Sequence, residues 1–343
     1  MLTYQFRLYP TKKQAKCLIG QIEQHRMLYN HCLDLKIKSY QETGKSPSCF
    51  DLIKSEVTKF KSGCNYSSLQ QTIRRLDKSY KAFFSKNSKF PRFKAKGRFR
   101  TIEYGKLGDG CKIHPEHIYL QHVGKVYCKF HRNIDCIPKT LSITHRNGRF
   151  YVNIIVEIIK PINEPKFDNA VGIDFGIKTT ITTSNGDKFV TPKFTKLQEK
   201  TVARLNRRKN YKALRKVYTK TQNQRKDFNH KLSRKIVTQY DIICLENLKV
   251  EDITSFSNIN TRIYDIAINQ LINFITYKAE NAGKYVVMVN PAYTTQTCSQ
   301  CGAVKPKSLT DRIHSCDCGF TCCRDKNSAI NILRLGLESL VTL

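Results

Sequence analysis

The sequence has no tryptophan, only three methionines and few acidic side chains for its number of basic ones. Sixty Lys and Arg residues face 27 Asp and Glu residues, a formal net charge of +33. There is no apolar run long enough to span a membrane, and the first ten residues lack the apolar core of a signal peptide. We therefore expect a chain that does not cross a membrane and whose partner is a polyanion, with a basic membrane-surface protein as the alternative.

The length and the cysteine count set further limits. A chain of 343 residues is too long for one compact core and predicts two or three domains. Fourteen cysteines without a signal peptide indicate the reducing cytosol, where thiols bind metal or lie in cores instead of forming disulfides. The eight cysteines that precede Cys298 are scattered singly, and we interpret them as core or surface residues.

A metal-binding pattern stands near the C-terminal end. Cys298 and Cys301 form one close pair followed by a glycine, and Cys316 and Cys318 form a second one after a spacer. Two such pairs can supply the four thiolates of a tetrahedral zinc site, with the glycines permitting the tight turns. The alternative is a set of buried thiols. Because the second pair is a Cys-x-Cys, Cys322 or Cys323 remains an alternative fourth ligand.

The first half of the chain reads as a short strand over residues 3–8, a helical region over 11–88 and a β region over about 102–159. The clearest helix is predicted from Ser68 to Phe84, and Asn147-Gly148 predicts a hairpin within a small β-barrel or curled sheet. Between the two regions, residues 90–100 alternate phenylalanines with cations. That composition suits base stacking with phosphate neutralisation, and a solvated basic loop is the alternative.

The second half alternates apolar strands with helices. Strands are predicted around Asp174, from Asp241 to Leu248 and from Tyr285 to Val289, and a helix from about residue 258 to 281. Residues 193–235 predict a basic helical hairpin whose inward positions include Tyr218. The remaining predicted inward positions are Leu205, Leu214, Phe228, Leu232 and Ile236.

Three carboxylates suggest a catalytic site. Asp174 lies in the first of these strands, Glu246 near the end of the second, and Asp325 at the start of the last helix. Functional groups gather at strand ends in α/β sheets, so residues this distant in sequence can share a site. With no Lys or Arg expected between them, the acids would repel, and two Mg²⁺ (or Mn²⁺) ions would neutralise them and support phosphodiester hydrolysis. The alternative is three unrelated acids.

Several segments together resemble the TnpB family of transposon-encoded RNA-guided DNA nucleases, which are related to type V CRISPR effectors. The similarity rests on Gly172-Ile-Asp-Phe-Gly176, Leu245-Glu-Asn-Leu248, residues 290–302 and the pattern Arg324-Asp-x-Asn-x-Ala-x-Asn331. It extends to Phe6-Arg-Leu-Tyr-Pro10 and to the helix of residues 69–84, and so covers nearly the whole chain. Cys323 departs from the family pattern, where a polar residue is expected.

The resemblance implies an α+β multidomain fold. Residues 166–290 and 322–343 would form an RNase H-like RuvC nuclease domain with Asp174, Glu246 and Asp325 as metal ligands, and residues 291–321 an inserted zinc ribbon. Residues 1–10 and 96–165 would form the β-barrel wedge domain, and residues 11–95 the helical recognition domain. It also implies a guide RNA from the transposon end, one protein per RNA, and a double-stranded target DNA cut beside a short adjacent motif. A prokaryotic cytoplasmic protein associated with the nucleoid is expected.

Three other functions fit parts of the pattern. A nuclease-inactive RNA-guided regulator would share the fold and the charge, but the three acids are all present. A compact type V CRISPR effector would have almost the same sequence features. A protein-only transposase with a DDE-type site explains neither the wedge-like β region nor the cysteine pairs.

Overall fold

The computed structural model describes the chain except residues 159–160, 162, 165, 248–265, 308–310 and 342–343. The chain divides into two compact units, Met1–Ile159 and Lys160–Leu343. No helix in the described ranges is both long and apolar enough to cross a membrane.

The helices of the first unit lie where the sequence predicts them. Helix α1 spans Lys12–Thr43, begins at a capping box made by Thr11 and Gln14, and ends at Gly44, whose φ of 69° is left-handed. Helix α2 spans Cys49–Glu56, and a 3₁₀ turn, Val57–Phe60, follows it. Helix α3 spans Tyr66–Phe84, so the helix predicted from Ser68 to Phe84 is confirmed.

An antiparallel seven-stranded sheet completes the first unit. Its strands run in the order β2-β6-β7-β1-β5-β4-β3, so the sheet is nearly a barrel but β2 and β3 remain its edges. The predicted hairpin joins β6 to β7 through Asn147 and Gly148, with φ values of 53° and 73°. The bounds are β1 Leu2–Tyr9, β2 Thr101–Tyr104, β3 Cys111–Ile113, β4 His117–Leu120, β5 Gly124–Lys129, β6 Pro138–Arg146 and β7 Arg149–Val156.

The second unit contains a mixed five-stranded sheet. Its order is β10-β9-β8-β11-β12, in which β8, β11 and β12 are parallel and β9 and β10 are antiparallel additions. All residues of β11 and the middle four residues of β8 are buried, as expected for strands covered on both faces. The bounds are β8 Ala170–Phe175, β9 Ile181–Thr183, β10 Lys188–Phe189, β11 Ile242–Glu246 and β12 Tyr285–Val289. A separate hairpin pairs β13, Ile313–Ser315, with β14, Thr321–Cys323.

Four helices accompany this sheet in the described ranges. They are α4 Phe194–Arg207, α5 Tyr211–Gln239, α6 Ile268–Asn281 and α7 Arg324–Val341. The basic hairpin of α4 and α5 is confirmed, but the inward position predicted for Tyr218 is wrong, because its side chain is 52% exposed. On this part of α5 the less exposed stripe follows Leu214, Val217 and Thr221, one step round the helix from Tyr218. The start predicted for α6, at residue 258, lies outside the described residues.

Candidate active site and thiol cluster

The topology of the second sheet brings the three predicted acids together. Asp174 and Glu246 lie at the ends of the parallel neighbours β8 and β11, where Leu245 pairs with Ile173. Asp325 is the second residue of α7, the helix that packs on β8. Gly172 makes this close packing possible, because a Cβ atom there would lie 2.0 Å from the Ala329 carbonyl oxygen. Strand pairing and the close contact at Gly172 thus bring together three acids that are distant in the sequence.

Burial and mutual repulsion dominate the electrostatics of these acids. Asp174 is 8% exposed and Glu246 is 5% exposed. Burial, followed by the charges of Glu246 and Asp325, holds the pKa of Asp174 well above its ordinary value. Burial also raises the pKa of Glu246. Carboxylates placed in this way are stable as anions only if a cation compensates them, so the donor set fits divalent metal ions.

One basic side chain does lie among the acids, which corrects the sequence-based expectation. The Arg324 Nε atom lies 3.6 Å from Oδ1 of Asp325, and its charge acts to lower the pKa of Asp174. Arg324 precedes Asp325 at the start of α7, so the helix brings the guanidinium to the site together with the acid. One guanidinium against three carboxylates still leaves a net negative site, and a divalent cation remains compatible with it.

Two hydroxyl groups contact the buried acids, and neither was assigned to the site from the sequence, although one of them lies in the motif segment of residues 290–302. The Thr294 hydroxyl donates to Oε1 of Glu246 at 2.5 Å, and the Ser328 hydroxyl donates to Oδ1 of Asp174 at 3.4 Å. Thr294 stands in the segment between β12 and the first cysteine pair, and Ser328 stands on α7. Each hydroxyl restricts the orientation of a carboxylate and stabilises its charged form.

Two asparagines of α7 fasten the segment that carries Thr294. Asn331 donates to the carbonyls of Thr294 and Thr297 at 2.9 and 2.7 Å. Asn327 donates to the Thr297 carbonyl at 2.7 Å and accepts from the Ser299 N–H at 2.9 Å. Both side chains are buried, so these bonds are shielded from water. They tie the helix that bears Asp325 to the chain leading into the first cysteine pair.

The four predicted cysteines form one cluster. The Sγ atoms of Cys298, Cys301, Cys316 and Cys318 all lie within 4.8 Å of one another. The Cys298–Cys318 and Cys301–Cys316 pairs are 3.8 and 3.5 Å apart. Four thiolates about 2.3 Å from a tetrahedral ion would be separated by about 3.8 Å, so the cluster fits zinc in size and in chemistry.

The local backbone explains why these thiols converge. The Gly302 N–H bonds to the Cys298 carbonyl at 2.9 Å, and the Gly319 N–H bonds to the Cys316 carbonyl at 3.0 Å. Both glycines have left-handed φ values, 77° and 86°, as their position in the sequence predicted. Cys322 and Cys323 lie outside the cluster, and the Cys322 thiol faces the Cys323 carbonyl instead.

A histidine beside the cluster was missed in the sequence. His314 on β13 is fully buried, and its Nδ1 contacts the Lys307 ammonium. Burial raises the pKa of Cys298, but hydrogen bonds from the Cys301 backbone and from His314 outweigh it and bring that pKa to about 5. Donors around Cys298 therefore favour the thiolate form that a metal requires.

Three family profiles match successive parts of the chain. One described as "Helix-turn-helix domain" matches residues 1–45, the IS605 OrfB profile described as "Probable transposase" matches residues 153–256, and one described as "Cas12f1-like, TNB domain" matches residues 269–332. Over the first of these ranges the observed fold is the strand β1 followed by the single helix α1.

Curated relatives point the same way. A "Putative RNA-guided DNA endonuclease" of Streptomyces pristinaespiralis is 28% identical over 98% of this chain and 89% of its own length. The "TnpB-like protein L79" of Acanthamoeba polyphaga mimivirus is 29% identical over 59% of this chain and 44% of its own length. These profiles and relatives support the assignment of the chain to the TnpB family. The resemblance found in the sequence motifs is thereby confirmed.

The fold has counterparts among solved structures. The protein chain in the "Cryo-EM structure of the Cas12f1-sgRNA-target DNA complex" superposes with a TM-score of 0.61 at 15% identity. The match covers 93% of this chain and 82% of that one. At this identity the likeness is one of fold. Sequence similarity to TnpB-like proteins and a Cas12f1-like fold thus occur in one mixed α/β chain.

Proposed function

We propose that this TnpB-family chain is an RNA-guided DNA endonuclease that cuts target DNA beside a short transposon-adjacent motif. The observation that carries the proposal is the meeting of Asp174, Glu246 and Asp325 at the ends of β8 and β11 and the start of α7. The name of the Streptomyces relative supports the activity, because that match extends along 98% of the chain. The net charge of +33 suits a protein that holds both RNA and DNA.

The proposed site is a RuvC site with two divalent ions, Mg²⁺ or Mn²⁺, held by the three acids. When bound, such ions activate a water and stabilise the attacking and leaving oxygens of the phosphodiester. The chain's own contribution is orientation. Thr294 fixes Glu246, Ser328 fixes Asp174, and Arg324 balances part of the charge of Asp325. Asp174 and Glu246, whose pKa values are raised, are the residues most in need of a cation.

The domain organisation follows the family resemblance. Residues 166–290 and 322–343 would be the RNase H-like RuvC domain, with residues 291–321 as a zinc ribbon holding one Zn²⁺ on Cys298, Cys301, Cys316 and Cys318. Residues 1–10 and 96–165 would form the wedge domain that holds the guide RNA, and residues 11–95 the recognition domain. One protein would bind one RNA from the transposon end and act on DNA in the nucleoid.

The test replaces one acid without changing its shape. Glu246→Gln removes a ligand charge, so we expect divalent-dependent cleavage to fall below about a hundredth of the parent rate. Binding to guide RNA and target rests on base pairing and basic surfaces, so the dissociation constant should stay within a few-fold. The assays are a DNA cleavage gel and a binding titration, with the copurified RNA as guide. Asp174→Ala and Asp325→Ala should give the same result as Glu246→Gln, which is loss of cleavage with binding retained.

Glu56→Gln is the matched control. Glu56 is 4% exposed, as buried as Glu246, but it pairs with His31 and Lys59 in the first unit. This variant should keep parental cleavage. If the parent protein binds guided DNA but fails to cut it with any divalent metal, the nuclease proposal is wrong and the chain is the nuclease-inactive regulator. Joint loss of binding and cleavage in Glu246→Gln would mean that the acid supports the fold.

A further inference from the structure

An exposed aromatic patch lies at the end of α3 and has no role in the cleavage site. We define the aromatic patch as Tyr80, Phe83, Phe84 and Phe90. Phe90 meets Tyr80 and Phe83 edge to face at 5.6 and 5.3 Å between ring centroids, and Phe84 lies 5.3 Å from Phe83. Phe84 is 73% exposed and Phe90 is 44% exposed. Contiguous exposed rings of this kind mark a binding surface more often than scattered apolar residues do.

The charge around the aromatic patch has one sign. Residues 78–102 contain nine Lys and Arg residues and no acid. Among the ion pairs of the described residues, Lys81 is the one member of this set that forms a pair, with Asp77. The neighbouring cations Lys86, Lys89 and Arg92 are exposed. The surface thus combines partly exposed aromatic rings with unneutralised positive charge, which suits a polyanion that carries planar groups.

We propose that the aromatic patch stacks unpaired bases of the RNA bound to this chain, while Lys86, Lys89 and Arg92 contact the adjacent phosphates. The proposal rests on the proposed function, from which it takes the RNA. Unpaired RNA bases stack on aromatic side chains in single-stranded loops and ends. The bases of duplex DNA are already stacked on one another, and the target strand then pairs with the guide. Before the target DNA binds, RNA is therefore the partner whose unpaired bases are available for stacking.

The charge pattern disfavours the other occupants. If a second copy of the chain docked here through the same segment, the nine cations of residues 78–102 in one copy would face the same nine in the other. The segment contains no acid that could neutralise them. An acidic protein would satisfy the charge, but a single-stranded RNA presents a planar base beside every phosphate and so matches rings and cations together. An anionic lipid surface would satisfy charge and apolarity together, so it is included as an arm of the test.

The absence of tryptophan allows a direct spectroscopic test. Phe84→Trp places a single indole in the aromatic patch of a chain that otherwise has none. Phe50→Trp is the matched control, because Phe50 has the same 73% exposure on α2 but belongs to no aromatic contact in the described ranges. On titration of the full chain with its copurified RNA, Phe84→Trp emission should be quenched to saturation at one RNA per chain. Phe50→Trp emission should stay constant.

Affinity and salt dependence give an independent readout. Phe84→Ala should weaken RNA binding about five- to a hundredfold, the loss expected for one stacked base, without changing the salt slope. Lys89→Ala should lower that slope by about 0.7, the value for one phosphate contact on a single strand. Phe50→Ala should leave both quantities at the parental value. Because Phe84 is exposed, these effects cannot be attributed to lost core packing.

Several outcomes would overturn the proposal. Unchanged Phe84→Trp emission on saturated RNA would refute stacking, as would a parental affinity of Phe84→Ala. Quenching that appears on addition of target or single-stranded DNA, and not with RNA, would assign the aromatic patch to DNA. A shift with anionic vesicles on the RNA-loaded chain would assign it to lipid. If the parent does not cleave DNA but Phe84→Trp emission is quenched by RNA, only the nuclease function is refuted. If the parent cleaves DNA but Phe84→Trp emission is not quenched, only the stacking proposal is refuted.

Discussion

Gly172→Ala should damage both the stability and the activity of the chain, although it adds only one methyl group. The new Cβ would lie 2.0 Å from the Ala329 carbonyl oxygen and 2.6 Å from the Leu333 nitrogen, both of them backbone atoms of α7. Ordinary contact distances are at least about 3.4 Å, so α7 must retreat from β8 by about 1 Å. Overpacking of this kind costs about 1–3 kcal/mol.

The same retreat would displace the site. Asp325 and Ser328 are carried by α7, whereas Asp174 is carried by β8, so the shift separates groups that must act together. A misplacement of about 1 Å can reduce catalysis about a hundredfold. We therefore expect Gly172→Ala to lower the free energy of unfolding and the cleavage rate while guide RNA is still retained.

Denaturant unfolding and the cleavage gel measure the two effects, with Gly20→Ala as the control. Gly20 lies in the exposed part of α1 with nothing within 4 Å of an added Cβ, so alanine should stabilise that helix by about 0.5–1 kcal/mol. Parental stability and cleavage in Gly172→Ala would show that the contact between α7 and β8 is not what assembles the site.

Two further predictions concern the thiols and a buried histidine. Metal analysis should find about one zinc per chain, lost in Cys318→Ser and kept in Cys322→Ser, and the reverse pattern would assign the fourth ligand to Cys322. Burial lowers the pKa of His25 to about 3. Between about pH 3 and pH 6.5 the unfolded chain therefore binds a proton at His25 that the folded chain does not bind. The free energy of unfolding is fully present above about pH 6.5 and falls as the pH drops below it. Urea unfolding at pH 7 and 5 should show a loss about 2 kcal/mol smaller in His25→Gln than in the parent, and an equal loss in both would exclude His25 as the cause.

The three acids show which parts of the candidate site can be predicted from the sequence and which cannot. Asp174 and Glu246 were recognisable because an acid in an apolar strand is costly, and a cost of that kind signals a function. Arg324 and Thr294 stand in the motif segments that carry the resemblance, but their contacts with the acids, like that of Ser328, depend on tertiary neighbours. Tyr218 was misplaced because a long amphipathic helix offers two adjacent stripes, and packing against α4 decides between them.

Local rules in the sequence were sufficient for the helices, the Asn147-Gly148 hairpin and the cysteine pairs, since periodicity and turn chemistry act over a few residues. The convergence of three acids from residues 174, 246 and 325, and the amide bonds from Asn327 and Asn331 to the segment bearing Thr294, depended on tertiary structure. They require parallel strand pairing and the contact of α7 with Gly172, which bring together atoms that no local pattern relates.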